Sequence, residues 1–277
     1  MKEYQKSKML RGILMNEYIN LDIKESDKII ISNLENLLQV KIPYLNDELG
    51  YTDFGFYCED GYIVDLSLID HHLDNLPYSI GKLDHLRFLN LSGTGLNKLP
   101  LSISNCSNLE RLILTRNNLQ DFPNEIFNLK NLVELRIDSN YIKNIPKDIK
   151  NLTKLKRFFL NYNQSLILDN SLKNLTNLES IYICGINCKA FPRIILEIKT
   201  LKHISISNNP IYELPEEIDN LQNLESLSIQ NTYIQKLPIS IKKMPSLKEI
   251  HIKGTQIDKI EIEKEFAKFL SFKLINW

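Results

Sequence analysis

A 23-residue pattern of apolar residues recurs along most of the chain and constrains its fold more than any other feature. The repeats begin at evenly spaced residues: Ile63, Leu86, Leu109, Leu132, Leu155, Leu178, Leu201, Leu224 and Leu247. When the places of each repeat are numbered from these residues, apolar side chains fall at places 1, 4, 6, 11, 14, 18 and 21. One repeat cannot bury these side chains alone, so neighbouring repeats must stack and share an elongated core.

The spacing within a repeat predicts its secondary structure. Places 4 and 6 alternate with polar places, which is typical of a strand with one buried face. Places 14, 18 and 21 have helical spacing beside a proline at place 15, which predicts a short helix or turn. The sequence therefore predicts an α/β solenoid over residues 63–260, with eight full repeats and a partial ninth. Strands stacked in parallel in this way make the solenoid curved.

Segments on either side of the repeats are predicted to close the ends of the stack, because an open end would expose apolar surface and a strand edge. Residues 1–62 contain an amphipathic helix that starts near Ser26 and Asp27, followed by a β-hairpin with an Asp60-Gly61 turn. Residues 261–277 place Phe266 and Phe269 on one helical face. This predicts a C-terminal helical cap; a partner-binding helix is the alternative.

The repeat resembles the 23-residue class of leucine-rich repeats, whose motif is LxxLxLxxNxLxxLPxxIxxL. The resemblance covers residues 63–260. This class is known from Ras-binding scaffold proteins, plant intracellular relatives and many prokaryotic proteins. The resemblance implies a horseshoe whose parallel sheet lines the concave face, where most members of the family bind proteins.

Two repeats depart from the motif. Place 9 is usually Asn, and Thr in several repeats can partly replace it, but the sixth repeat has Ile186 there. The fifth repeat has Ser165 at place 11 and Asp169 in place of proline. We expect a locally altered turn in these two repeats, either as tolerated drift or as a reshaped ridge beside a binding surface.

Charge and composition exclude several kinds of function. Lys and Arg together number 34, as do Asp and Glu, so no global field favours nucleic acid or an anionic membrane. The N-terminus lacks the features of a secretory signal, and no apolar run is long enough to cross a membrane. We therefore expect a cytoplasmic protein with four reduced cysteines.

Catalytic and metal-binding groups are not brought together by the repeat. Cys184 and His203 are four residues apart along the strand direction, which at about 3.3 Å per residue separates them by roughly 13 Å. The histidines scatter over different repeats, so we expect no metal site, no cofactor and no enzymatic activity.

The variable places of the strands carry the candidate site. Places 3, 5 and 7 point out of the predicted concave face, with place 8 at its rim. The third to sixth repeats concentrate Arg and aromatic residues there, which are the side chains that dominate binding energy at interfaces. The predicted partner-binding residues are Arg111, Arg116, Arg136, Arg157, Phe159, Tyr162, Tyr182 and, in the seventh repeat, His203. The alternative is that Arg111, Glu134 and Arg157, and likewise Arg136 and Asp138, form cross-strand pairs that only solvate the sheet.

These observations predict a non-enzymatic module that binds a protein or peptide partner on its concave face. Two alternatives stay open: a small-GTPase-binding signalling scaffold, suggested by the repeat class, and a recognition subunit of an enzyme such as a ubiquitin ligase. The expected form is a monomer, although the sequence does not determine the oligomeric state.

Overall fold

The computed structural model describes residues 22–258 and 273–275 and divides into two compact units between Ile137 and Asp138. The division of the chain at residues 62/63 and 260/261 stays a prediction. So does the helical face of Phe266 and Phe269, which lies outside the described residues. Within those described ranges, no helix has the length and apolar character needed to cross a lipid bilayer.

The described part of the first unit contains one α-helix and a five-stranded sheet, besides short 3₁₀ helices, with these bounds: α1 (Glu25–Leu38), β1 (Gly55–Glu59), β2 (Tyr62–Ser67), β3 (Phe88–Asn90), β4 (Arg111–Ile113) and β5 (Glu134–Arg136). Strands β1 and β2 form the antiparallel hairpin, and β2 to β5 pair in parallel and in sequence order. The predicted helix buries Ile30, Ile31 and Leu34. Its buried Asp27 carboxylate accepts the N–H of Ile63 at 3.0 Å, which ties the helix to the first repeat.

The second unit continues the same arrangement with six parallel strands: β6 (Arg157–Phe159), β7 (Ser180–Tyr182), β8 (His203–Ser205), β9 (Ser226–Ser228), β10 (Glu249–His251) and β11 (Lys273–Ile275). Each strand pairs with the next along the chain. Part of the predicted C-terminal helical cap is therefore wrong, because residues 273–275 form a strand that extends the sheet beyond β10. An added strand satisfies the edge of β10 with backbone hydrogen bonds.

The apolar places form the core as predicted. In the third repeat these places are at most 4% exposed: Leu109, Leu112, Leu114, Leu119, Phe122, Ile126 and Leu129. The predicted short helices are five-residue 3₁₀ helices, which follow place 15: Tyr78–Lys82, Leu101–Asn105, Asn124–Asn128, Lys147–Asn151, Asn170–Asn174, Arg193–Glu197, Glu216–Asn220 and Ile239–Lys243. The solenoid of leucine-rich repeat type is confirmed within each unit.

In the repeats that have asparagine at place 9, its side chain helps to join the repeat to the one before it. The side chain of Asn117 is 4% exposed, and its amide donates to the carbonyls of Leu91 and Leu114 at 2.7 and 3.0 Å. Its Oδ1 accepts the N–H of Leu96, at place 11 of the preceding repeat, at 2.9 Å. Asn209 makes the corresponding bonds in the second unit. These bonds satisfy backbone groups that the tight turn would otherwise bury without partners.

The two irregular repeats do contain altered turns, as predicted. In the fifth repeat Ser165 adopts a left-handed conformation (φ 68°), and Leu166 is buried in its place. In the sixth, the main-chain carbonyl of Ile186 replaces the missing Asn side chain and accepts the N–H of Ser165 at 3.0 Å. Asp169 replaces proline by capping the 3₁₀ helix, since its carboxylate accepts the N–H of Ser171 at 2.8 Å.

Candidate functional site

The variable face, defined here as the sheet face that carries places 3, 5 and 7, differs between the two units. The structure places three of the predicted site residues in the first unit, Arg111, Arg116 and Arg136. The remaining ones lie in the second unit, and they are Arg157, Phe159, Tyr162, Tyr182 and His203. The two groups are described separately below.

In the first unit, a segment from the N-terminal region covers the variable face. This segment, Leu45–Asp53, lies between α1 and β1. Its Leu49 is 2% exposed and packs with Phe88 and Ile113, which occupy variable places of β3 and β4. From the sequence, the segment was expected only to be part of the N-terminal cap. The sequence signal that could have revealed this cover was the presence of the apolar residues Phe88 and Ile113 at variable places, whose side chains were expected to face solvent.

The segment also contacts Arg136, and Arg111 lies beside Phe88, which the segment covers. The Tyr51 ring lies 4.1 Å from the Arg136 guanidinium, and its hydroxyl donates to both carboxylate oxygens of Glu134 at 2.9 Å. Arg136 also pairs with Glu134, its neighbour on the same strand, at 2.5 Å. The Arg111 guanidinium lies 4.2 Å from the Phe88 ring. Arg136 and Arg111 are therefore partly exposed residues that already contact neighbouring side chains, and their role in partner binding stays a prediction.

The row at place 8 has a left-handed backbone in all nine repeats, with φ between 53° and 70°: Asp70, Gly93, Arg116, Ser139, Tyr162, Gly185, Asn208, Asn231 and Gly254. Two of its glycines let longer side chains lie across them. A Cβ atom at Gly93 would lie 2.3 Å from Asp70 Oδ1, and one at Gly185 would lie 2.6 Å from the Tyr162 ring. In the first unit, Arg116 pairs with Asp70 at 2.8 Å beside Gly93, where a larger residue would clash. Arg116 is therefore an ion-paired rim residue.

The second unit presents a stacked aromatic pair on its variable face. Phe159 of β6 and Tyr182 of β7 are direct partners in the sheet, with ring centroids 4.3 Å apart and planes only 4° from parallel. Both side chains are partly exposed, as is Arg157 on the same face of β6. Tyr162 follows at the rim, 53% exposed, and its hydroxyl accepts the Asn208 amide at 3.4 Å.

Beyond the aromatic pair the variable face is lined by small polar side chains. The Ser207 hydroxyl lies 2.8 Å from that of Ser228 and 3.3 Å from that of Ser205, which in turn lies 3.0 Å from the Cys184 thiol. These groups already bond to one another. His203, at place 3 of β8, is partly exposed beside this polar row.

The cysteines lack the chemistry of a nucleophile. Burial raises the pKa of Cys58 and of Cys106 to about 12, that of Cys188 to about 11, and also raises the pKa of Cys184. A thiol with a raised pKa is protonated at neutral pH and reacts slowly. Among the described residues, no group of three or more His, Cys, Asp or Glu side chains could hold a metal ion.

Comparison with known proteins places this geometry in context. The family profile described as leucine-rich repeat region matches residues 63–190 and 184–264. A comparison with curated protein sequences found no significant match.

Solved structures with a similar fold include a leucine-rich repeat protein of Leptospira interrogans (TM-score 0.61, 26% identity), matched over 76% of this chain and 59% of that one. An internalin of Listeria monocytogenes is also similar (TM-score 0.56, 21% identity, 90% of this chain and 75% of that one). A third is the ectodomain of an Arabidopsis thaliana membrane receptor kinase in complex with Casparian strip integrity factor 2 (TM-score 0.57, 22% identity, 82% of this chain and 32% of that one). The chain thus spans about three fifths of the Leptospira protein.

Proposed function

Because the chain belongs to the leucine-rich repeat family, we propose that it is a non-enzymatic interaction module that binds a protein or peptide on the variable face of strands β6–β10. Proteins with this fold are commonly interaction modules, and the Arabidopsis ectodomain is an example held in complex with a partner. The protonated thiols described above agree with a binding role.

The stacked pair of Phe159 and Tyr182 carries the proposal. Aromatic side chains bring a large contact area with few rotamers, and they dominate the binding energy of many interfaces. Here the two rings are already stacked at 4.3 Å, so little side-chain entropy remains to be lost when a partner binds. A partner would place an apolar or aromatic side chain against the exposed edges of these rings.

The neighbouring polar groups define the rim of the proposed site. Arg157 lies on the same face of β6 and favours an acidic group on the partner. The hydroxyl row at Ser205, Ser207 and Ser228 would surround the aromatic anchor with groups that tolerate water. An apolar centre with a polar rim is the usual anatomy of a protein interface.

The test compares two aromatic pairs of the second unit. Phe159→Ala with Tyr182→Ala removes the proposed anchor, whereas Tyr212→Ala with Tyr233→Ala removes an exposed pair with centroids 5.2 Å apart outside the strands. Partners would be captured from an extract of the native cell, identified, purified and titrated against each variant by calorimetry.

We expect the Phe159/Tyr182 variant to bind at least about thirtyfold more weakly, the loss typical of removing an interface hot spot. The Tyr212/Tyr233 variant should bind like the unmodified protein. Both variants should keep the thermal unfolding transition, since neither pair belongs to the fully buried core. Equal affinity of all three proteins would refute the site. Fractionation of the native cell would test the cytoplasmic location that we also propose.

A further inference from the structure

The variable face of strands β2–β5 is built like an occupied peptide site. In a solvated sheet face, places 3 and 5 would be polar and exposed. Here Phe88 and Glu134 are 0% exposed, Asp65 is 2% exposed and Ile113 is 3% exposed. The Leu45–Asp53 segment covers this face, and all of its contacts described below lie within the first unit.

Two side chains anchor the segment. Leu49 packs into the apolar patch formed by Phe88 and Ile113. Tyr51 places its ring beside the Arg136 guanidinium at 4.1 Å and its hydroxyl on both oxygens of Glu134 at 2.9 Å. An apolar anchor and a tyrosine held by a charged pair are the contacts with which interfaces recognise peptides.

The main chain of the segment is recognised by side chains of the sheet. The carbonyl of Tyr51 accepts the Asn90 amide at 3.0 Å, and the N–H of Leu49 donates to the Asp65 carboxylate at 2.9 Å. Contacts of this kind hold the main chain of the segment, because they satisfy its polar groups without continuing the strand ladder. The variable face thus contacts both the side chains and the main chain of the segment.

Beside the two anchors, the partly buried Leu45 also packs against the apolar patch, but few residues of the segment are buried. Only Leu49 and Asp53 of the segment are buried, whereas Asn46, Asp47 and Glu48 are exposed. A segment held by few buried contacts can open without unfolding the repeats beneath it. The buried core of β2–β5 lies on the opposite side of the sheet and does not depend on these anchors.

From these contacts we infer that the variable face of β2–β5 is a second peptide-binding surface, closed in the free protein by the chain's own Leu45–Asp53 segment. Its ligand is a peptide with a leucine and a tyrosine spaced as in Leu49-Gly50-Tyr51. Such a peptide competes with the segment, so its apparent affinity is reduced by the small fraction of molecules in which the segment is open.

The test uses the full chain and a fluorescein-labelled peptide with the sequence of residues 44–54. Leu49→Ala with Tyr51→Ala releases the segment, and Asn46→Ala with Glu48→Ala is the matched control within the same segment. Fluorescence anisotropy should show at least about tenfold tighter peptide binding by the released variant than by the unmodified protein and the control variant. A peptide with alanine at both anchor positions should not bind.

Hydrogen exchange keeps the test decisive even if the released variant folds poorly. In the unmodified protein, the Leu49 amide should exchange at least about a hundredfold faster than the amides of β4, through a local opening that does not expose the core. The inference is overturned if the Leu49 and β4 amides exchange together, or if a folded released variant binds the peptide no better than the unmodified protein. These variants leave Phe159 and Tyr182 intact, so this test and that of the proposed function can fail separately.

Discussion

The asparagine at place 9 offers a quantitative test of how the repeats are joined. Replacing Asn117 by Ala removes the acceptor of the Leu96 N–H, a buried group bonded at 2.9 Å, and two donor bonds to carbonyls at 2.7 and 3.0 Å. An unsatisfied buried N–H costs about 1–3 kcal/mol, and each lost bond about 1 kcal/mol. Asn117→Ala should therefore lower the free energy of unfolding by about 3–5 kcal/mol before any rearrangement.

A competing rearrangement sets the lower limit of this loss. In two of the repeats that lack Asn at place 9, those with Thr94 and Ile186, the main-chain carbonyl of that residue accepts the place-11 N–H of the preceding repeat at 2.9 and 3.0 Å. In both of those repeats place 10 is left-handed, at Gly95 (φ 83°) and Asn187 (φ 64°). Asn118 has no such conformation, and adopting one would cost about 1 kcal/mol. The backbone can thus recover only part of the loss.

Urea unfolding followed by circular dichroism measures the effect against a matched control. Asn118→Ala, at the adjacent residue, removes an exposed hydrogen bond from the side-chain amide to the Gly95 carbonyl. This change should cost less than about 0.5 kcal/mol. Asn117→Thr combined with Asn118→Gly copies the Thr94-Gly95 turn and should recover more than half of the loss. The reasoning is refuted if Asn117→Ala costs no more than Asn118→Ala, or if the copied turn is no more stable than Asn117→Thr alone.

Two further predictions concern the rim and the thiols. Gly185→Ala should destabilise the protein by about 1–2 kcal/mol in thermal denaturation, because φ at this residue is 63°. It should also shift the Tyr162 side chain, since the added Cβ would lie 2.6 Å from the Tyr162 ring. An unchanged melting temperature would contradict this prediction. Cys58, Cys106 and Cys188 should react with Ellman's reagent at pH 8 at least about a hundredfold more slowly than free cysteine, because pKa values of about 11 to 12 leave little thiolate at that pH. A fast reaction at any of these three thiols would contradict the assignment.

Most of the fold follows from the sequence because the repeat is redundant. The seven apolar places recur with few exceptions along the repeats, so neighbouring repeats favour the same strand and the same 3₁₀ helix. Even the altered turns at Ser165 and Ile186 could be located, since a departure from a regular pattern is visible by itself. What compensates Ile186 could not be predicted, because a main-chain carbonyl carries no sequence signal.

The candidate site depends on contacts between residues far apart in the chain. The sequence alone identifies which side chains occupy the variable face, and the aromatic pair Phe159 and Tyr182 follows from register, because equal places of adjacent repeats are neighbours. The tertiary structure alone shows that the face of β2–β5 is covered. Tyr51 reaches Glu134 from outside the repeat pattern, and no periodicity relates a connecting segment to the surface on which it packs. Register is local and repetitive, whereas the packing of that segment is a single long-range event that only the folded chain determines.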